Sequence, residues 1–249
     1  MNKGALSAIL WKEKIIFFRN AVGLVFFYMI LILFSNIYIL SSYIQETSLQ
    51  YILSSYIQET SLQEYLDHII TNNLIMLAPT VFVAIGSVIL SQSISIDKRE
   101  GILKILIGNG TGADVIWLGK YIFSVFVCYV VLFICVCVYF FSLLIIFDMH
   151  IVMTKGNFMM IFFIMPVVSM FLLALYAFLF WITKNQTVQI FYSMFPAIID
   201  LVSFYISDYV IDKKMETNLV LIILLCSLSI LGIFMLSKCV KKYGIEKLV

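Results

Sequence analysis

Long stretches without charged residues alternate with short polar segments along this chain. Five stretches carry no Lys, Arg, Asp or Glu, and a sixth, 185–207, contains only Asp200. A transmembrane helix needs about 20 apolar residues to cross the hydrocarbon core of a bilayer. The pattern therefore predicts an all-α integral membrane protein whose 249 residues form a single transmembrane domain. The six predicted spans are 22–44, 71–94, 121–146, 157–182, 187–206 and 218–237.

The composition excludes an ordinary water-soluble fold. Hydrophobic residues make up 63% of the chain and charged residues 12%, whereas a soluble domain is about half apolar and about a quarter charged. A folded monomer still exposes much of its surface, so one soluble core cannot hide this much apolar area. The net charge is only +2. No basic patch of the kind that binds nucleic acid is present, so we expect no nucleic-acid partner.

Residues 1–20 mix apolar side chains with cations. On a helix, Ile9 and Ile16 fall on one face, and Lys12, Lys14 and Arg19 lie at its borders. This pattern predicts an interfacial helix whose cations lie near anionic headgroups. The alternative is a cytoplasmic extension of the first span.

The distribution of Lys and Arg predicts the orientation. In the six-span arrangement, 13 of the 16 cations fall on the side of the two termini. Positively charged loops stay in the cytoplasm. We therefore expect a multi-pass protein of the plasma membrane with both termini cytoplasmic. The predicted cytoplasmic cations are Lys3, Lys12, Lys14, Arg19, Lys98, Arg99, Lys104, Lys120, Lys184, Lys238, Lys241, Lys242 and Lys247.

A tandem duplication begins just before the predicted external segment, 45–70, and continues within it. The thirteen residues 38–50 are repeated without change as 51–63. Surface segments of this kind tolerate insertions, and we interpret the duplication as a tolerated insertion. Whether it has a function stays open.

Motifs for enzymatic chemistry are missing from the sequence. Gly112 and Gly119-Lys120 do not have the spacing of a Walker A loop, and Tyr121 stands where Ser or Thr is needed. The GxSxG pattern of a nucleophile elbow is also absent. The five cysteines form no CxxC pair or Cys/His metal spacing. We therefore expect a protein that is not an enzyme, with no metal or cofactor of its own.

The predicted internal loop, 95–120, carries the one motif that resembles a known family. Asp97 to Leu106 reads DKREGILKIL, and Val115 to Lys120 reads VIWLGK at the start of the next span. Together with the six-span layout, the interfacial helix and the cytoplasmic termini, this pattern resembles the ABC type-2 transporter permeases. The motif itself covers about 25 residues.

The resemblance implies a half-transporter that forms the translocation path of an exporter. It would pair with a second permease copy, identical or related, and with separate ATP-binding subunits that hold ATP and Mg²⁺. The coupling helix that seats in the ATPase maps onto the internal loop. The residues that carry this role are Asp97, Lys98, Arg99, Glu100, Gly101, Ile102, Leu103 and Leu106.

The resemblance also bears on the substrate. Short members of the family serve bacterial export of, or self-protection against, antimicrobial or toxic peptides. An amphipathic peptide is therefore the expected cargo, and a small hydrophobic drug or a lipid-linked glycan is the alternative. Export and immunity roles both stay open.

Polar stripes mark two of the predicted spans. They avoid lipid, because unsatisfied polar groups are costly there. Such stripes line a translocation path or mediate helix packing, and the family's path is formed largely by these two helices. The residues of the predicted path are Thr80, Ser87, Ser91, Gln189, Ser193, Asp200 and Ser203.

Asp200 also carries the alternative from another functional class. It is the one carboxylate well inside a predicted span. Ionisable residues at such depth mark ion and substrate pathways. An ATP-independent secondary transporter or channel would place its site at Asp200.

Overall fold

A computed structural model describes residues 3–53, 70–71, 73–147, 155–183 and 219–248. All regular secondary structure in these ranges is helical, which confirms the predicted all-α class for the described part of the chain. We number the helices in chain order. They are α1 (Lys3–Ile16), α2 (Val22–Leu53), α3 (Asn73–Arg99), α4 (Ile102–Gly108), α5 (Ala113–Phe147), α6 (Lys155–Ile182) and α7 (Leu219–Leu248).

Within the described ranges, four helices are long and apolar enough to cross a membrane. They are Gly4–Tyr38, Asn73–Arg99, Ala113–Ile146 and Lys155–Ile182. Each contains most or all of one predicted span. The predicted stretch 218–237 coincides with the first two thirds of α7. The predicted span 187–206 lies outside the described residues.

Helix α1 and helix α2 are joined without a break. A π-helical turn, Phe17–Ala21, connects them, and the backbone on both sides of the turn is helical. The chain therefore does not show the separate interfacial helix predicted for 1–20. Helix α2 runs on to Leu53, beyond the predicted end at residue 44. It includes the first copy of the duplication, whereas most of the second copy lies outside the described residues.

The central helix of the bundle is α3. In its most apolar 18-residue window 72% of the residues are buried, against 17% in the first helix and 33% in the other two. Gly86 allows this close packing. A Cβ built there would lie 2.8 Å from the side chain of Leu173 on α6 and 3.1 Å from Cys128 Sγ on α5. The core therefore lies where α5 and α6 pack against α3.

The outer helix faces expose large apolar side chains. Phe34 on α2 is 72% exposed, and Phe133 and Phe141 on α5 are more than 60% exposed. Exposed apolar surface of this extent is unusual in a soluble monomer. In hydrocarbon the same faces need no polar partners, because helices satisfy their backbone hydrogen bonds internally. The exposed faces thus agree with the length and apolar character of the four helices.

Helix α3 contains a second π-helical turn, Val81–Ile85, and helix α6 contains a third. The turn in α6, Met160–Ile164, immediately precedes a segment with Pro166 in its first turn. Proline lacks a backbone N–H and its ring crowds the carbonyl four residues earlier, which here belongs to Phe162. That carbonyl lies within the wider turn, so the turn accommodates the proline while the helix continues.

Candidate functional site

Four ionisable side chains meet in the interior where α1, α3 and α5 come together. They are Lys12 and Glu13 of α1, Asp97 of α3 and Lys120 of α5. Three of them are essentially inaccessible, and the Lys12 side chain is 26% exposed. We call this set, with the adjacent Ser93, the charge ring. Charged residues are almost never fully buried unless they are paired, so the ring is the most unusual polar feature of the described structure.

The four charges alternate in sign along the series of contacts from Lys12 to Asp97, Lys120 and Glu13. Lys12 pairs with Oδ1 of Asp97, and Lys120 Nζ lies 2.8 Å from Oδ2 of the same carboxylate. Lys120 Nζ also lies 2.7 Å from Oε1 of Glu13. The two cations and two carboxylates sum to zero charge. Each charge therefore has an opposite charge beside it, which compensates part of its desolvation.

Ser93 completes the hydrogen bonding inside the ring. Its hydroxyl donates to Oε2 of Glu13 and accepts from Lys120 Nζ. Lys120 Nζ donates to three acceptors, which are Oε1 of Glu13 and the hydroxyl and backbone carbonyl oxygens of Ser93. Its contact with Oδ2 of Asp97 is an ion pair without a hydrogen bond. An ammonium group has three N–H donors. The donors of this buried lysine are thus matched in number by close acceptors.

Close approach of α1 to α5 brings the ring together. A Cβ built on Gly119 would lie 2.6 Å from Cγ2 of Ile9, closer than non-bonded carbons come. Only glycine therefore fits here without a shift. Ile9 and Glu13 are four residues apart and so share one face of α1. Because Gly119 has no side chain, Ile9 can pack against it, and the next residue, Lys120, then lies beside Glu13.

The two parts of the predicted family motif meet at this ring. Asp97 opens the motif's first part, and Gly119-Lys120 ends the second. The sequence pattern assigned Asp97 to the ATPase-coupling segment, and Lys120 to the second part of the motif and to the cytoplasmic cations. It did not identify Lys12, Glu13 or Ser93 as their partners. The one available signal was Glu13, the single acid of the first 20 residues, on the same face as Ile9.

The predicted coupling residues divide into buried and accessible groups. Asp97 and Leu103 are fully or nearly fully buried. Gly101, Ile102 and Leu106 are partly buried. The exposed residues are Arg99, the last residue of α3, and Glu100, which follows it. The buried members hold the segment in place, so the surface that a partner can reach is smaller than the whole motif.

Lys98 has a structural contact of its own. Its Nζ donates to the carbonyl oxygens of Phe180 and Thr183, each at 2.8 Å. These carbonyls lie at the C-terminal end of α6, where backbone acceptors lack partners within the helix. A cation there also interacts favourably with the helix dipole. Lys98 therefore ties the end of α3 to the end of α6.

Helix α4 packs against the bundle between two turns. Gly101 and Gly110 flank it with φ values of +69° and +80°, a backbone conformation that favours glycine. Leu103 points inward and is 2% exposed, whereas Ile105 is 62% exposed and Lys104 is exposed beside it. The outward face of α4 thus combines an apolar side chain with a cation.

The predicted polar stripe of α3 lies inside the bundle. Ser87 is buried and its hydroxyl donates to the carbonyl of Ala84, while Thr80 and Ser91 are partly buried and donate to carbonyls of their own helix. All three thus satisfy their hydroxyls locally. The path residues predicted on the fifth span, which are Gln189, Ser193, Asp200 and Ser203, lie outside the described residues.

Comparisons with known proteins found no relative of this chain. No protein-family model, curated protein or solved structure matches this chain. The resemblance to the ABC type-2 permeases therefore depends on the motif, which the structure folds into the charge ring and α4.

Proposed function

We propose that this chain is the permease subunit of an ABC exporter. In this proposal the chain forms part of the translocation path, and a separate subunit binds and hydrolyses ATP. The six predicted spans cross the plasma membrane, with both termini and α4 on the cytoplasmic side. A second permease copy, identical or related, completes the transporter.

The outward face of α4 carries the proposal. This short helix joins the two long apolar helices α3 and α5, and it presents Lys104 and Ile105 to the outside. A short helix with an apolar anchor and a charged neighbour is suited to docking in a groove of another protein. Leu103 of α4 is buried in the bundle, and the turn before α4 directly follows the end of α3, which carries the buried Asp97. A docking helix on a rigid base can transmit movement of an ATPase to the membrane helices.

The cargo is proposed at the level of chemical class. The apolar helices and the polar stripe of α3 would suit an amphipathic peptide, which has one apolar and one polar face. The alternatives are a small hydrophobic drug and a lipid-linked glycan. The compound that stimulates ATP hydrolysis by the assembled transporter would distinguish these from a peptide cargo. In this proposal no chemical step takes place on the chain itself.

Substitutions on the outward face of α4 test the proposal. In the double variant Lys104→Glu with Ile105→Asp, we expect loss of the ATP-binding subunit from the purified complex. The exposed pair Lys14 and Ile15 on α1 provides a matched control, because Lys14→Glu with Ile15→Asp makes the same two changes elsewhere. The control is expected to retain the ATPase. Equal retention by both variants would contradict docking at α4.

Lys98 is a poor choice for this test. Because its ammonium caps α6, a charge reversal there would disturb the fold and weaken docking indirectly. Lys104 and Ile105 avoid this problem, since both side chains are exposed. A melting temperature close to that of the wild-type chain would confirm that the double variant is folded.

A further inference from the structure

Helix α1 is attached to the bundle by little apolar surface. Among its side chains that the structure describes, Ile9 and Glu13 are the buried ones. Trp11 and Ile15 on the opposite face are 64% and 53% exposed. In contrast, α3 buries apolar residues along its length. One of the two buried side chains of α1, Glu13, therefore belongs to the charge ring, and Lys12 adds an ion pair to α3.

Buried ionic contacts differ from apolar ones in what they stabilise. Desolvation offsets most of the attraction between the charges, so replacing a buried ion network by well-packed apolar residues is often neutral or stabilising. Apolar replacement at the ring positions would consequently hold α1 at least as firmly. An ionic contact instead fixes the register of α1, because a one-residue slip would move Lys12 and Glu13 away from their partners.

The chain provides a suitable hinge directly after α1. The π-helical turn Phe17–Ala21 separates α1 from α2. π-Helical turns recur at functional sites and at kinks of long helices. The chain is fixed again from the end of the turn onward, since Ala21, its last residue, and Val25 beyond it are buried. Motion of α1 can therefore be confined to residues before the turn.

We propose that the charge ring is a latch, and that α1 alternates between a docked and an undocked position about the π-helical turn. In the docked position Lys12 and Glu13 close the ring with Asp97 and Lys120. In the undocked position α1 leaves α5, and Ile9 becomes accessible to water. This inference depends on the contacts of α1 and holds whether or not the chain is an ABC permease.

Cysteine labelling of the full-length chain tests the latch directly. Ile9→Cys places a thiol at the docked face, and native Cys128, which is fully buried in α5, serves as the reference. Modification by a water-soluble maleimide is followed peptide by peptide by mass spectrometry. Local undocking labels position 9 while Cys128 stays unmodified, whereas global unfolding labels both. The two events are therefore separable in one sample.

Two ring variants should shift the labelling in opposite directions. Glu13→Gln leaves Lys120 short of one charge partner, and we expect labelling at position 9 to rise at least about tenfold. The apolar ring, made by Lys12→Met, Glu13→Met, Ser93→Ala, Asp97→Leu and Lys120→Met, should lower the rate below that of the intact ring. A fixed structural role is indicated instead if position 9 reacts only together with Cys128, or if the apolar ring raises its labelling.

Discussion

The ammonium of Lys120 lies 2.7 Å from the carboxylate of Glu13 and joins α5 to α1 in the protein interior. The two residues are 107 positions apart in the sequence. Each is at most 2% exposed. Because Lys120 also contacts Asp97, one side chain connects the N-terminal helix, the fifth helix and the start of the proposed coupling segment. The following predictions concern this connection and its surroundings.

Removing the central cation should destabilise the chain more than removing one of its partners. Lys120→Met leaves the carboxylates of Glu13 and Asp97 with Lys12 as their remaining ring cation, at a cost of about 3–5 kcal/mol. Glu13→Gln keeps an amide oxygen that accepts a hydrogen bond, and should cost about 1–3 kcal/mol. Denaturant unfolding of the purified chain in detergent measures both. The reverse order of the two costs would contradict the central position of Lys120.

The ring also shows which parts of the structure the sequence could reveal. Charge-free stretches located the long helices, because only apolar surface tolerates hydrocarbon over about 20 residues. Periodicity could not show that α1 continues into α2, since a π-helical turn keeps the chain helical while changing which side chains face inward. Nor could it pair Glu13 with Lys120, because an ion pair between distant helices leaves no local pattern.

The face of α1 illustrates the same limit. The sequence placed Ile9 and Ile16 on one apolar face, whereas the structure buries Ile9 and leaves Ile16 only partly covered. Glu13 takes the inner position next to Ile9. A carboxylate is expected outside by its own preference. Its partners on α3 and α5 reverse that preference, and only the tertiary structure places them there.

Glycine at position 119 should be required for the docking of α1. Gly119→Ala brings a methyl group to 2.6 Å from Cγ2 of Ile9, and we expect a loss of about 1–3 kcal/mol from the overpacked contact. In the background of Ile9→Ala, which removes that methyl carbon, the same substitution should cost much less. A double-mutant cycle on unfolding free energies measures this difference. Additive costs would show that the two residues are not in contact.

Lys98 should contribute to stability through the end of α6. Lys98→Met removes two charged hydrogen bonds to the carbonyls of Phe180 and Thr183, at an expected cost of about 1–2 kcal/mol. The adjacent exposed cation gives a control, because Arg99→Met should change the unfolding free energy by no more than about 0.5 kcal/mol. Similar costs for Lys98→Met and Arg99→Met would argue against the capping contact.

The turn before α4 should depend on glycine for conformational reasons alone. Gly101 has a φ of +69°, and a Cβ built there meets nothing within 4 Å. Gly101→Ala should therefore cost about 1–2 kcal/mol, while Gly101→Asn should cost less, because Asn tolerates this conformation. Proline cannot adopt a positive φ, so Gly101→Pro should displace α4 and uncouple an attached ATPase. Thermal unfolding ranks the first two variants, and equal melting temperatures for all three variants would contradict this account of the turn.

The most direct test of the proposed function is co-purification with an ATPase. The chain is expressed together with any protein from a neighbouring reading frame that carries a Walker A motif. We expect the two chains to elute as one complex that hydrolyses ATP, and the Lys104→Glu with Ile105→Asp variant to elute alone. A wild-type chain that binds no such subunit, and that transports its substrate in vesicles without ATP, would contradict the assignment as an ABC permease.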